Sequence, residues 1–148
     1  MNPDEVRSRC ARHAIEFSAT PLLCGAPHRV RQAARYLKRS YGISSYAMIP
    51  KGLQSHRLWD LRFPLPYLRR LPVGFDSPEL LADLAIRFFA KASPIAVPVL
   101  IDCDGIFRED AELSAQLSAH AFLICGDRIA ESPPFCYTAQ PSERNSHA

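Results

Sequence analysis

Apolar positions along the chain fall into two patterns, one recurring at helical spacing and one in short continuous runs bounded by turn residues. Val30, Ala33, Ala34, Leu37 and Tyr41 share one face of a predicted helix that opens at Pro27 and stops at Gly42. Leu80, Leu81, Leu84, Ala85, Phe88 and Phe89 give a wider apolar face to a second, opened by Ser77-Pro78-Glu79 and ending near Ala92. Leu113 and Leu117 mark a third within 108–120. Behind Asn2-Pro3, the spacing of Val6, Cys10, Ala14 and Phe17 predicts an amino-terminal helix to about Ser18. The continuous runs are Ile95 to Ile101 and Ala121 to Cys125, each short enough to be a strand, and Ile43 to Ile49 is a further candidate strand. Arg57 to Phe63 alternates instead, with Trp59, Leu61 and Phe63 on one face. Pro64, Pro66 and Pro72 predict an extended connector that carries Arg69 and Arg70. Strands interspersed with helices predict the α/β (α+β) class, a small mixed sheet with packed helices. From Ser132 onward the chain is polar and aperiodic, so a single globular unit is expected over 1–131 and a loose tail over 132–148.

Composition narrows the class without naming a function. A chain of 148 residues, 47% hydrophobic and 22% charged, suits one globular domain and excludes wholesale disorder. The amino terminus lacks the apolar core of a signal peptide, and no stretch approaches the roughly 20 apolar residues of a membrane span. The five cysteines, Cys10, Cys24, Cys103, Cys125 and Cys136, are odd in number and form no Cys-x-x-Cys, which predicts reduced thiols in a cytoplasmic protein. The five histidines lie far apart, and none is assigned to metal.

Charge is divided along the chain. Residues 1–74 hold thirteen Lys/Arg against four Asp/Glu, and residues 75–148 hold five against eleven, within an overall net charge of +3. Arg29, Arg31, Arg35, Lys38 and Arg39 cluster on the Pro27 helix. They are either a solvated face or a nucleic-acid-binding one, engaging DNA or an acidic protein partner. Pro50 leaves too little length for a recognition helix after Gly42, so a helix-turn-helix is set aside.

Two stretches could carry chemistry. In Val99-Leu100-Ile101-Asp102-Cys103-Asp104-Gly105-Ile106 an apolar run meets Asp-x-Asp-Gly, and strand alternation would bring both carboxylates to one side, where they can share a hard cation. This resembles the first motif of the haloacid-dehalogenase phosphotransferases. The resemblance implies Asp102 as nucleophile and Asp104 as general acid in a magnesium-dependent phosphohydrolase or nuclease. Ile106 stands where that family has Thr, and 43 residues follow Gly105, too few for its later motifs. The plainer reading is a turn at a strand end.

The second stretch is longer. Glu79 to Ile86, then Pro94-Ile95-Ala96-Val97, then Phe122-Leu123-Ile124-Cys125-Gly126-Asp127-Arg128 resembles, in element order, the amino-terminal domain of the ParB/sulfiredoxin superfamily. The resemblance implies a nucleotide-binding turn, with Gly126 letting the backbone close on a phosphate, Asp127 in the place of a Glu, and Arg128 supplying a charged contact. Ile129 occupies the place of that family's second arginine. A solitary domain of this kind is similar to the fertility-inhibition proteins of conjugative plasmids. That likeness implies an accessory regulator that restrains DNA transfer, binding nucleotide or DNA phosphates, with nucleotide and Mg as its conceivable cofactors. A non-catalytic DNA-binding accessory protein is the remaining alternative, and the residues alone do not decide whether any reaction occurs.

Overall fold

The computed structural model describes residues 14–16, 18, 21–53, 65–74, 76–91, 97–125 and 135–136. Six strands form one sheet: β1 (Leu22–Cys24), β2 (Ser45–Met48), β3 (Leu68–Arg70), β4 (Val99–Asp102), β5 (Phe122–Cys125) and β6 (Phe135–Cys136). Their order across the sheet is β3-β2-β1-β4-β5-β6, the first five parallel and β6 antiparallel to β5. Three helices connect them: α1 (Pro27–Tyr41) between β1 and β2, α2 (Pro78–Ala90) between β3 and β4, and α3 (Ala111–Ser118) between β4 and β5. The chain is therefore of the α/β class. Its sheet is larger and more parallel than the small mixed sheet expected, and nothing in it supports the ParB/sulfiredoxin detail specifically.

Parallel strands must be covered on both faces, and alternation along each strand shows how the cover is divided. Leu23, Ala47, Val99, Ile101 and Ile124 pack with Val30, Ala33, Ala34 and Leu37 of α1 and with Ala14 and Ile15. Leu22, Cys24, Met48, Leu100 and Leu123 pack on the opposite face with Leu81, Ala82, Ala85 and Phe89 of α2 and with Leu113 and Leu117 of α3. The chain thus winds outward from β1 to β3 on one side, crosses back under α2, and winds outward again from β4 to β5. Strand order reverses between β1 and β4, and open α/β sheets usually take ligands outside the carboxyl ends of the strands at such a point.

The helices follow the predicted faces with one exception. Val30, Ala33, Ala34 and Leu37 are fully buried, and Gly42 ends α1 in the left-handed conformation at φ 70°, its N–H reaching the Lys38 carbonyl. On α2 the Asp83–Arg87 pair spans one turn at 2.9 Å, but Leu80, expected inward, is 47% exposed. At 100° per residue it lies beyond the edge of the buried face set by Leu81, Ala85 and Phe89.

Three expectations change. Leu22–Cys24 is a strand that no pattern marked, and the Pro-rich connector contains β3, with Arg69 and Arg70 as strand residues. Phe135 and Cys136 pair with β5 inside the stretch expected to be a loose tail. The predicted strand from Arg57 to Phe63 lies outside the described residues, as does most of the amino-terminal helix, of which 14–16 are helical. Among the described residues no helix is long and apolar enough to cross a membrane, in line with the expected lack of membrane insertion.

Candidate functional site

β1 and β4 lie side by side in register, Cys24 opposite Asp102, so the loops that follow them meet at the reversal point. Cys24-Gly25-Ala26 leads directly into α1, whose first turn contains no acidic residue and whose N-cap, Ala26, has no capping side chain. The missing acceptor comes from the neighbouring loop. Asp104 Oδ2 accepts the Ala26 N–H, and Oδ1 lies 3.0 Å from Arg29 Nε. A carboxylate at a helix amino terminus satisfies an orphan donor and the positive end of the dipole together. Gly25, at φ 153°, makes room for it: a Cβ there would stand 2.5 Å from Asp104 Oδ2.

Asp102 is engaged elsewhere. It is fully buried at the end of β4, where Oδ1 accepts the Ile106 N–H at 2.8 Å and Oδ2 the Phe107 N–H at 2.9 Å. The strand ends at Asp102, so alternation does not extend to Asp104, and the two expected partners in metal binding hold different groups. No cluster of three or more metal-ligating side chains occurs among the described residues. Burial pushes the adjacent Cys24 thiol well above its ordinary range, and Asp102, Cys103 and Asp104 act in the same direction, which disfavours the thiolate.

The same edge is tied together at two further points. The Gly52 N–H, in the 3₁₀ turn Lys51–Leu53 after β2, donates to Asp76 Oδ1 ahead of α2. Ser77 does not cap α2: its hydroxyl donates to Glu79 Oε2 at 2.6 Å, which with a backbone contact holds the Glu79 carboxyl below its usual range.

The five cations of α1 are not gathered at one point. Arg29 is at the carboxyl edge beside Asp104, while Lys38 and Arg39 occupy the last turn, about 14 Å along the helix by its rise per residue. Arg35, Lys38 and Arg39 are exposed, and Arg31 is half-buried. Helical geometry also separates their directions. Arg29 turns toward β4 to reach Asp104, so Arg31 and Lys38, on the other flank of the buried face, turn toward β3, with Arg35 and Arg39 along the crest between.

β3 adds Arg69 and Arg70, both exposed. Within 21–53 and 65–74, which hold α1 and β1 to β3, there are eight Lys/Arg and no Asp or Glu. Within 76–125 there are eight Asp/Glu and three Lys/Arg. The strand order sets β1 to β3 apart from β4 and β5, so the division of charge is partly kept across the molecule, although α2, preceded by Asp76 and carrying Glu79 and Asp83, packs back against β1 and β2. Sequence reasoning missed Gly25 and the Arg29–Asp104 pair, although a glycine between an apolar triplet and a Pro-initiated helix was available as a signal. Gly126, Asp127 and Arg128 lie outside the described residues.

Comparison with protein-family models, with curated proteins and with solved structures finds no match to this chain.

Proposed function

We propose that the protein is a non-catalytic accessory domain that binds nucleic acid through the exposed cations of α1 and the edge strand β3. The observation that carries this reading is the set of exposed cations on that side of the sheet, Arg35, Lys38 and Arg39 of α1 with Arg69 of β3. Phosphate chains are bound largely through such clustered positive charge, with release of condensed counterions. The carboxyl edge serves an anion less well. A phosphate at the amino end of α1 would meet Asp104, which already holds the Ala26 N–H and Arg29. The enzyme alternative is weakened similarly, because Asp102 is fully buried with both oxygens accepting backbone amides, while Asp104 is held by Ala26 and Arg29. The narrower expectations, a nucleotide turn at Gly126 to Arg128 and restraint of conjugative transfer, rest on the sequence resemblance alone.

The test is salt-dependent binding to a labelled DNA oligonucleotide, followed by fluorescence anisotropy. Affinity should fall steeply between low and physiological salt, and the double variant Lys38→Glu/Arg39→Glu should lower the log–log slope by roughly one to two contacts. Both positions are exposed, so the fold should persist in circular dichroism. An affinity that stays flat with salt, or a double variant that binds like the parent, rejects the reading.

A further inference from the structure

We infer that two copies of this chain pair through α2, antiparallel about a twofold axis near Leu84. The inference concerns the face of the sheet opposite α1 and stands apart from the nucleic-acid reading. Two stripes run along the outer side of α2 at a spacing of four residues, which carries a helix about 40° past one turn. Glu79, Asp83, Arg87 and Lys91 form the first, two acids and then two bases, all exposed. Leu80, Leu84 and Phe88 form the second beside it, Leu80 47% exposed and the other two half-buried. The Phe88 ring meets Tyr46 of β2 edge to face at 5.0 Å, which sets this stripe on the β2 flank of α2, while α3 lies toward β5. Leu53, the other exposed large apolar side chain among the described residues, follows Gly52, whose N–H is held by Asp76 just ahead of α2. Both exposed leucines therefore lie toward the amino end of the helix.

The pattern is complementary to itself. Laid antiparallel with Leu84 near the axis, the two helices bring Glu79 and Asp83 of each copy opposite Lys91 and Arg87 of the other, and Leu80 opposite Phe88. A twofold contact is isologous, so each charge match and each apolar match is made twice. A parallel arrangement would set acid on acid and base on base. Acid first and base last also suits the dipole of a single helix, but the dipole has no use for an exposed leucine beside the charges. One helix pair buries less than the roughly 1,600 Å² of a standard interface, so the association is a weak one. It leaves the cations of α1 open on the far side of each copy.

Full-length protein is run by sedimentation velocity from about 5 to about 500 µM, a range suited to a weak interface. The expected result is a mass that rises with concentration from 16.6 kDa toward twice that value. Leu80→Glu, at an exposed position, should weaken the pairing at least about tenfold while the circular dichroism spectrum is unchanged. Asp83→Arg and Arg87→Asp should each leave the chain monomeric, because each sets like charges opposite one another. Mixed in equal amounts, or combined in one chain, the two changes should restore pairing. A parent chain that stays monomeric across the range overturns the inference. So does a dimer that Leu80→Glu and the charge variants leave intact, or a mixture of the two charge variants that pairs no better than either alone.

Discussion

Asp102 and Asp104 are two residues apart and do different work. Asp102 is fully buried and closes the turn after β4 by holding the Ile106 and Phe107 amides, while Ser114 Oγ donates to the Phe107 carbonyl from α3. Removing the carboxylate would leave two donors without their acceptor, the Phe107 N–H buried and the Ile106 N–H partly so. Hydrogen bonds to charged groups contribute roughly 1.5–3 kcal/mol each, and an orphaned buried donor costs a comparable amount. Asp102→Ala should therefore lower unfolding stability by about 3 kcal/mol, read as a reduced urea midpoint at unchanged slope. An isosteric Asp102→Asn should also destabilise, since its amide group must point donors at one of the two N–H groups. A variant that loses neither stability nor cooperativity would show that the turn is held by other contacts. Asp104 belongs to another unit, the amino end of α1, where its partners Ala26 and Arg29 lie 78 and 75 residues earlier in the chain.

The helices differ in how their ends are satisfied. α3 has a conventional cap, with Asp110 Oδ1 accepting the Leu113 N–H at 3.0 Å, whereas Ser77 of α2 spends its hydroxyl on Glu79. Asp110→Ala should cost about 1 kcal/mol, and Ser77→Ala a few tenths, a difference visible in paired thermal melts. Equal losses would mean that Ser77 contributes to the end of α2 through contacts other than capping. This is also the scale at which the sequence was most and least readable. α1, α2 and α3 were legible because each presents several apolar residues at helical spacing, and β2, β4 and β5 because each is an apolar run with a turn at its end. β1 and β3 were not, since Leu22–Cys24 and Leu68–Arg70 are three residues long, lie close to prolines, and are too short to display alternation. Their identity as strands comes from pairing with β2 and β4, which is tertiary information. The candidate site was legible to the same degree. The positive charge of α1 could be read directly, but the pairing of Arg29 with Asp104 depends on two strands being neighbours, and the direction of Asp102 on where β4 stops.

At the scale of the whole molecule, the sheet turns a linear asymmetry into a spatial one. Strands β1 to β3 come from the amino-terminal half and β4 to β6 from the other, and the single reversal between β1 and β4 keeps the strands of the two halves apart, while α2 packs back against β1 and β2. The consequence is an electric moment in a protein whose net charge is only +3, with the exposed cations of α1 and β3 gathered toward one end of the strand order. In the field of a polyanion such a molecule is turned before it arrives, basic side leading. The same moment should give it two faces on the chromatography bench. Near pH 7 in dilute buffer the protein should be retained by both cation- and anion-exchange resins and elute from each at modest salt. A uniformly charged protein of the same net charge would pass through the anion exchanger.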